Sequence, residues 1–207
     1  MSSQKLIPVV FDVLGTCFSF DASVNALRAL LGAELAAAGA NPVLIVDDWF
    51  HSAQRDFTYV SMSGNPIGIV LKACLPRNLL MAGVLPPEPH TSFTADLLAP
   101  VYATLPAMDP RPSLSACSST FLETGKFRLL AATNGGAEST RGLFDRALGK
   151  EQSAKWGVFS CDANQVAKPA PAVYENIWKH LGLMGEERKG WFVASHTWWG
   201  FSCPSRV

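Results

Sequence analysis

The sequence predicts an α/β fold with a parallel sheet at its core and an all-helical insertion. Three observations predict it. Short β-branched segments alternate with helical patterns near the start of the chain, and the same alternation returns in its last third. The part between them shows helical spacing and proline-rich breaks. Because alternating strands and helices build a parallel sheet, we expect one Rossmann-like core interrupted by a helical domain.

The composition is that of an ordinary globular protein. The chain has 207 residues, 48% of them hydrophobic, and a formal net charge of zero. This neutrality gives no electrostatic reason to expect nucleic acid or an anionic membrane as a partner. The five cysteines form no CxxC pair, and the sequence shows neither a leader nor a bilayer-length apolar run. We therefore expect a cytoplasmic protein with reduced thiols and no membrane attachment.

The first part of the chain begins with one strand and continues as helices. The buried strand LIPVVFDV covers 6–13, and Asp21 is a candidate cap for the helix after it. Helical patterns cover 21–38, 46–62, 67–81 and 93–105, with proline-rich loops at 85–92 and 108–113. The sequence therefore predicts a helical domain at 18–107.

The last third returns to alternating elements. Strands are predicted at 127–136, 155–162 and 189–196, and helices at 139–148 and 169–183. Together with the first strand they predict an α/β core formed by 1–17 and 108–207.

Polar residues end each predicted strand. In an open parallel sheet, ligands bind outside the carboxyl ends of the strands. The residues at those ends are Asp12; Thr133 and Asn134; Asp162, with Lys168 just beyond it; and Ser195 and His196. We expect them to converge on one pocket, with Gly15 permitting the turn that exposes the Asp12 carboxylate.

A carboxylate beside a lysine is suited to nucleophilic catalysis. Lys168 would keep Asp12 ionised and stabilise developing charge. Thr133 and Asn134 can hydrogen-bond a substrate carboxylate or the attacked group. The alternative for these two residues is that they only satisfy the backbone of their own loop.

Four motifs in order resemble those of the haloacid dehalogenase superfamily. They are FDVLGT (11–16), AATNGG (131–136), AKPAPAVY (167–174) and FVASHTWW (192–199). Within that superfamily the chain is most similar to the type II 2-haloacid dehalogenases. Its segment QRDFTY (54–59) also resembles the segment of their cap domain that closes over the substrate. The resemblance covers nearly the whole chain and implies an α/β core with a helical cap.

The resemblance implies a two-step hydrolysis. Asp12 displaces a leaving group from the substrate carbon and forms an ester, and water held near Lys168 and His196 then hydrolyses it. The resemblance places His51 where characterised dehalogenases carry an arginine that binds halide or carboxylate. It implies that the substrate lies against Leu14, Thr16, His51, Thr133, Asn134 and Trp198.

Two motif positions that superfamily phosphatases need as acids are apolar here. Leu14 stands in place of the general acid, and Trp199 in place of the acidic residue that holds Mg²⁺. A site with the single carboxylate of Asp12 is a poor octahedral Mg²⁺ site, so we expect no metal and no other cofactor. His196 is then the candidate base for ester hydrolysis.

The sequence supports one leading hypothesis of function and several alternatives. The first is a metal-independent hydrolase acting on a small organic acid such as a 2-halo acid. The alternatives are a repurposed lyase, cyclase or dehydratase of a biosynthetic pathway, a non-catalytic binding protein of the same fold, and a Mg²⁺-dependent phosphatase. The chain stops soon after the fourth motif, where relatives continue with a strand and a helix. We therefore expect either a homo-oligomer that covers the sheet edge or a truncated or alternatively spliced chain.

Overall fold

The computed structural model describes residues 6–61, 67–162, 166–183 and 190–195. The chain divides into two compact units, Met1–Ser19 with Pro110–Val207 and Phe20–Asp109. The first unit combines a sheet with helices, and the second is helical. That the second unit acts as a cap stays a prediction.

A parallel sheet forms the centre of the first unit. The strands are β1 (Ile7–Asp12), β2 (Phe18–Ser19), β3 (Asp109–Pro110), β4 (Phe127–Thr133), β5 (Gly157–Ser160) and β6 (Trp191–Val193). Four of them form one sheet in the order β5-β4-β1-β6, and every pair in it is parallel. The α/β class with a parallel sheet is therefore confirmed. β2 and β3 pair in a separate two-stranded sheet.

The described residues contain eight α-helices and one 3-10 helix. The helices are α1 (Asp21–Ala37), α2 (Pro42–Ser61), α3 (Ile67–Met81), α4 (Ala99–Tyr102), α5 (Leu114–Glu123), α6 (Ala137–Leu148), α7 (Lys150–Ser153) and α8 (Pro171–His180), and the 3-10 helix is Leu105–Ala107. Pro171 begins α8, where a missing backbone N–H costs little.

Several predicted elements differ from those in the structure. α2 begins at Pro42 instead of residue 46, because proline also suits the first turn of a helix. The helix predicted over 93–105 is only the short α4. α5 was not predicted, since its serine-rich sequence has a low helix propensity. Asp21 is the first residue of α1, and the N-cap is Phe20.

Apolar layers cover both faces of the sheet. Val10 and Leu130 pack against Val173, Ile177 and Trp178 of α8, which are all buried. On the other side the ring of Phe11 lies 5.1 Å from that of Trp156, which in turn lies 4.9 Å from Phe144. The Trp156 indole N–H donates to Ser118 Oγ at 2.9 Å, so this buried polar group is satisfied. β1 and β4 are therefore held rigidly from both faces.

The helical unit has its own core. Trp49 of α2 is fully buried and donates to the carbonyl oxygen of Leu71 at 2.7 Å. An ion pair joins Asp56 and Arg77 at 2.7 Å, and it is partly exposed. Among the described residues, the side-chain oxygens of Gln54 and Asn78 are buried without a hydrogen-bond partner.

No single helix among the described residues is both long and apolar enough to cross a membrane. One bent pair, Asp21–Ala37 with Pro42–Val60, has a sufficient length and an apolar composition, and only these two properties favour a span there.

Gly190 allows β6 to approach β1 closely. A Cβ at this position would lie 2.7 Å from both the Cγ and the carbonyl oxygen of Pro8. We predict that Gly190→Ala lowers the free energy of unfolding by about 1–3 kcal/mol, because the β1 backbone cannot move aside. Urea denaturation measures this change.

Gly142 is the matched control, since it lies inside α6 with open space around it. Gly142→Ala should stabilise the protein by about 0.5–1 kcal/mol through helix propensity. Equal stability of the Gly190→Ala variant and the wild type would contradict the close approach.

Candidate active site

Asp12 is the last residue of β1 and is almost completely buried. Its side chain is 3% exposed, although a carboxylate is rarely found in a core without a partner. The preceding residues Val9, Val10 and Phe11 are apolar and buried, so the strand is fixed up to the carboxylate. The strand thus holds a charged group at the C-terminal edge of the sheet.

The chain turns immediately after Asp12. Gly15 has a φ of +82°, a backbone conformation that glycine adopts without strain. The turn is closed by hydrogen bonds from Gly15 N to Phe18 O and from Cys17 N to Val13 O, both 2.8 Å long. The guanidinium of Arg111 donates to the carbonyl oxygen of Gly15 at 3.1 Å. The turn brings the hydroxyl of Thr16 back towards Asp12.

Lys168 is the charge partner of Asp12. Its ammonium Nζ lies 3.0 Å from Asp12 Oδ1 and 2.6 Å from the carbonyl oxygen of Ala132, and its side chain is fully buried. Burial lowers the pKa of Lys168, and the charge of Asp12 opposes that shift. Asp12 and Lys168 form a buried ion pair with directed hydrogen bonds.

Thr16 holds the second oxygen of the carboxylate. Its hydroxyl donates to Asp12 Oδ2 at 2.8 Å and accepts from the backbone N–H of Ser195 at 2.9 Å. The hydroxyl oxygen of Ser195 lies 3.1 Å from that of Thr16. The segment after β6 therefore helps to orient Thr16, and the two carboxylate oxygens of Asp12 have different partners.

The end of β4 lies next to the ion pair of Asp12 and Lys168. Thr133 is the last residue of this strand, and Asn134 follows it. The Thr133 hydroxyl accepts from the N–H of Gly135 at 3.0 Å, which stabilises the turn. The Asn134 amide contacts the main chain of Lys168 at 2.8 and 3.3 Å. Both side chains are buried. They thus make backbone contacts, one of the two roles expected for them, and substrate binding stays a prediction.

Four further residues were predicted for the site. Leu14 is half-buried in the turn. His51 lies on α2 of the helical unit, with its side chain 42% exposed and its Nδ1 3.5 Å from Asp47. His196 and Trp198 lie outside the described residues. The roles expected for these four residues stay predictions.

The structure shows no cluster of metal ligands among its described residues. In that part of the chain, no three histidine, cysteine or acidic side chains group as ligands for a metal ion. The ammonium of Lys168 already takes one oxygen of Asp12. That the site works without a metal stays a prediction.

Sequence reasoning missed one contributor to the site. The carbonyl oxygen of Ala132 binds the Lys168 ammonium, and no side-chain pattern signals a backbone acceptor. Ser195 was expected near the site from its place at a strand end, but its contact with Thr16 depends on the pairing of β6 with β1. The sequence pattern did not show which atom Ser195 reaches.

The site thus has a buried carboxylate at the end of an interior strand, and a helical unit follows it in the chain. No protein-family model matches the sequence, and no curated protein matches it. Solved structures do match.

Three of these solved structures illustrate the likeness. The L-2-haloacid dehalogenase RSc1362 has a TM-score of 0.72 and 21% identity, covering 94% of this chain and 80% of its own. An L-2-haloacid dehalogenase from Xanthobacter autotrophicus has a TM-score of 0.66 and 20% identity, covering 91% and 69%. The putative HAD-hydrolase YfnB from Bacillus subtilis, bound to magnesium, has a TM-score of 0.63 and 14% identity. The match covers 93% of this chain and 81% of that protein. The resemblance expected from the motifs is thus confirmed at the level of the fold.

The buried pair should show strong energetic coupling. We predict that Lys168→Met alone costs about 3 kcal/mol, because it leaves a buried carboxylate unpaired. Adding Asp12→Asn should recover at least about 1 kcal/mol of that loss. Chemical denaturation of the two single variants and the double variant measures the coupling.

The exposed pair Lys155 and Glu151 provides the control for this cycle. Its charged atoms lie 3.9 Å apart, and both side chains are mostly exposed. The same cycle with Lys155→Met and Glu151→Gln should give a coupling of at most about 0.5 kcal/mol. Additive losses at Asp12 and Lys168 would show that the two groups do not depend on each other.

Cys161 should make stability fall at alkaline pH. Burial raises the pKa of its thiol from 9.0 to about 11. Between these values the unfolded state loses its proton first, so folding stability falls as the pH rises. We predict that, between pH 9 and pH 11, the free energy of unfolding falls by about 2 kcal/mol less in Cys161→Ala than in the wild type.

Denaturation curves across this pH range test that expectation. Cys117→Ala is the control, because its thiol is only partly buried and burial raises its pKa less. Parallel pH profiles for wild type and Cys161→Ala would be inconsistent with a buried, protonated thiol at Cys161.

Proposed function

We propose that the protein is a metal-independent hydrolase that attacks a small organic acid, such as a 2-halo acid, through Asp12. The observation that carries this proposal is the different binding of the two Asp12 oxygens by Lys168 and Thr16. A carboxylate held in this way is oriented and lies beside a positive charge, which suits it to act as a nucleophile.

The chemistry of the first step follows from this arrangement. A carboxylate oxygen of Asp12 forms a bond to the substrate carbon, and the leaving group departs with the bonding electron pair. Asp12 becomes a neutral ester, so Lys168 loses its charge partner in the dry interior. Its ammonium then stabilises the negative charge that develops on the ester carbonyl oxygen when water attacks that carbon and gives a proton to His196. The bond between this carbon and the ester oxygen then breaks, the alkoxide leaves with the proton from His196, and the Asp12 carboxyl releases its remaining proton to solvent.

The lysine also supplies what a metal ion supplies in other hydrolases of phosphate or carbon esters. Its ammonium lies 3.0 Å from Asp12 Oδ1 and provides positive charge without an open coordination position. Leu14 cannot donate a proton to a leaving alkoxide, so the proposed substrates have leaving groups, such as halide, that need no protonation.

The remaining site residues receive roles within this proposal. His51 binds the carboxylate or halide of the substrate, and Leu14 and Trp198 line its apolar part. Thr133 and Asn134 contact its polar part, and His196 accepts a proton from the hydrolytic water. Two of the similar solved structures are L-2-haloacid dehalogenases, and this supports the choice of 2-halo acids as first substrates.

The sequence also favours a second candidate, a repurposed enzyme that performs lyase, cyclase or dehydratase chemistry on a carbon skeleton. Trp199 stands where relatives carry the acid that helps to activate hydrolytic water. An enzyme that never hydrolyses an ester has no use for that acid. Turnover of a carbon-skeleton substrate without an ester on Asp12 would favour this candidate.

Halide release from a panel of 2-halo acids tests the leading proposal. We predict release by the wild type in EDTA, because Lys168 and not a metal supplies the positive charge. Asp12→Asn should lower the rate by at least about 10³-fold, since an amide is a far weaker nucleophile.

Thr16→Val and Thr16→Ser form a matched pair for the same assay. The valine removes the hydrogen bond to Asp12 Oδ2 at nearly constant volume, and the serine retains it. We expect a loss of about 10-fold or more for valine and a much smaller one for serine. Absence of halide release from folded wild type with every acid would refute 2-haloacid hydrolysis.

A further inference from the structure

Asn134 makes an unusual pair of contacts with a single residue. Its Oδ1 accepts from the backbone N–H of Lys168 at 2.8 Å, and its Nδ2 donates to the carbonyl oxygen of Lys168 at 3.3 Å. The amide orientation is chemically determined, because a flipped amide would face donor with donor and acceptor with acceptor. One side chain therefore binds both main-chain polar groups of the lysine.

The other end of Lys168 returns to the same strand. Its ammonium lies 2.6 Å from the carbonyl oxygen of Ala132, which is two residues before Asn134 in the sequence. Ala132 lies opposite Asp12 in the register of β4 and β1. The C-terminal end of β4 thus binds the main chain of Lys168 through one residue and its ammonium through another.

Burial makes this arrangement restrictive. Lys168 is fully buried and Asn134 is 6% exposed. A long lysine side chain otherwise has large rotamer freedom, and fixing its backbone and its tip removes most of it.

We propose that Asn134 is a positioning residue that places the Lys168 ammonium on Asp12 by clamping the lysine main chain. This role is distinct from the substrate contact suggested for Asn134. It rests on the proposed function only for its effect on the rate, and its structural consequence can be measured without any substrate.

Acetylation of Lys168 measures the clamp directly. Purified full-length protein is treated with acetic anhydride, and the modification of each lysine is followed by peptide mass spectrometry. Lys155, whose side chain is 55% exposed, is the internal reference. We expect Asn134→Ala to raise the rate at Lys168 relative to Lys155 by about tenfold, because two hydrogen bonds are lost.

Ser160→Ala is the matched control. Its hydroxyl donates to the carbonyl oxygen of Gly135 at 2.7 Å, so it braces the same turn through a different backbone group. This variant should keep the relative rate at Lys168 within about threefold of the wild type. The proposal would be overturned if both variants raised the relative acetylation rate of Lys168 equally. It would also be overturned if Asn134→Ala left that rate unchanged.

A second variant decides the matter if Asn134→Ala does not fold. Asn134→Asp keeps an acceptor for the Lys168 N–H but loses the donor to its carbonyl oxygen. It should raise the relative acetylation rate by about threefold or more, and an unchanged rate would refute the clamp.

The rate of halide release separates this inference from the proposed function. If the wild type is active, Asn134→Ala should lower kcat more than it changes KM, and Ser160→Ala should alter neither by more than about threefold. The wild type could release no halide while Asn134→Ala still raises the acetylation rate of Lys168. That result would refute the proposed reaction and support the clamp. A variant with unchanged kcat and a protected lysine would refute the clamp alone.

Discussion

The site depends on the burial of one negative and one positive charge next to each other. Asp12 and Lys168 are 156 positions apart in the sequence, yet their charged atoms lie 3.0 Å apart with almost no exposure to solvent. Neither charge is tolerable there alone, so the fold must bring both to the same place. The order of the strands, the turn after Asp12 and the loop before α8 all serve that requirement.

Parallel pairing explains how three separate segments reach the pair. β1 ends in Asp12, and it lies between β4 and β6. β4 contains Ala132 and is followed by Asn134, and β6 is followed by Ser195. Since all strands run in one direction, their last residues share one edge of the sheet. The apolar layers on both faces hold these ends still. Rigidity of this kind is what an oriented nucleophile requires.

The sequence was informative where a pattern has one physical cause. Apolar strands ending in polar residues predicted the parallel sheet and placed Asp12 and Lys168 near each other. It was less informative where structure depends on distant packing: α4 is shorter than its helical pattern, and α5 forms despite a weak one. Backbone acceptors such as Ala132 carry no sequence signal. His196 and Trp198 lie outside the described residues, so their place in the site stays a prediction.

Isotope labelling tests whether Asp12 is the covalent nucleophile that we propose. The protein is incubated with a 2-halo acid that it turns over in water enriched in oxygen-18, and the peptide containing Asp12 is then analysed by mass spectrometry. Hydrolysis of an ester at the Asp12 carboxyl carbon leaves heavy oxygen in that side chain. Label in the Asp12 peptide is the predicted result. Turnover that leaves this peptide unlabelled, with the heavy oxygen only in the product, would contradict the account.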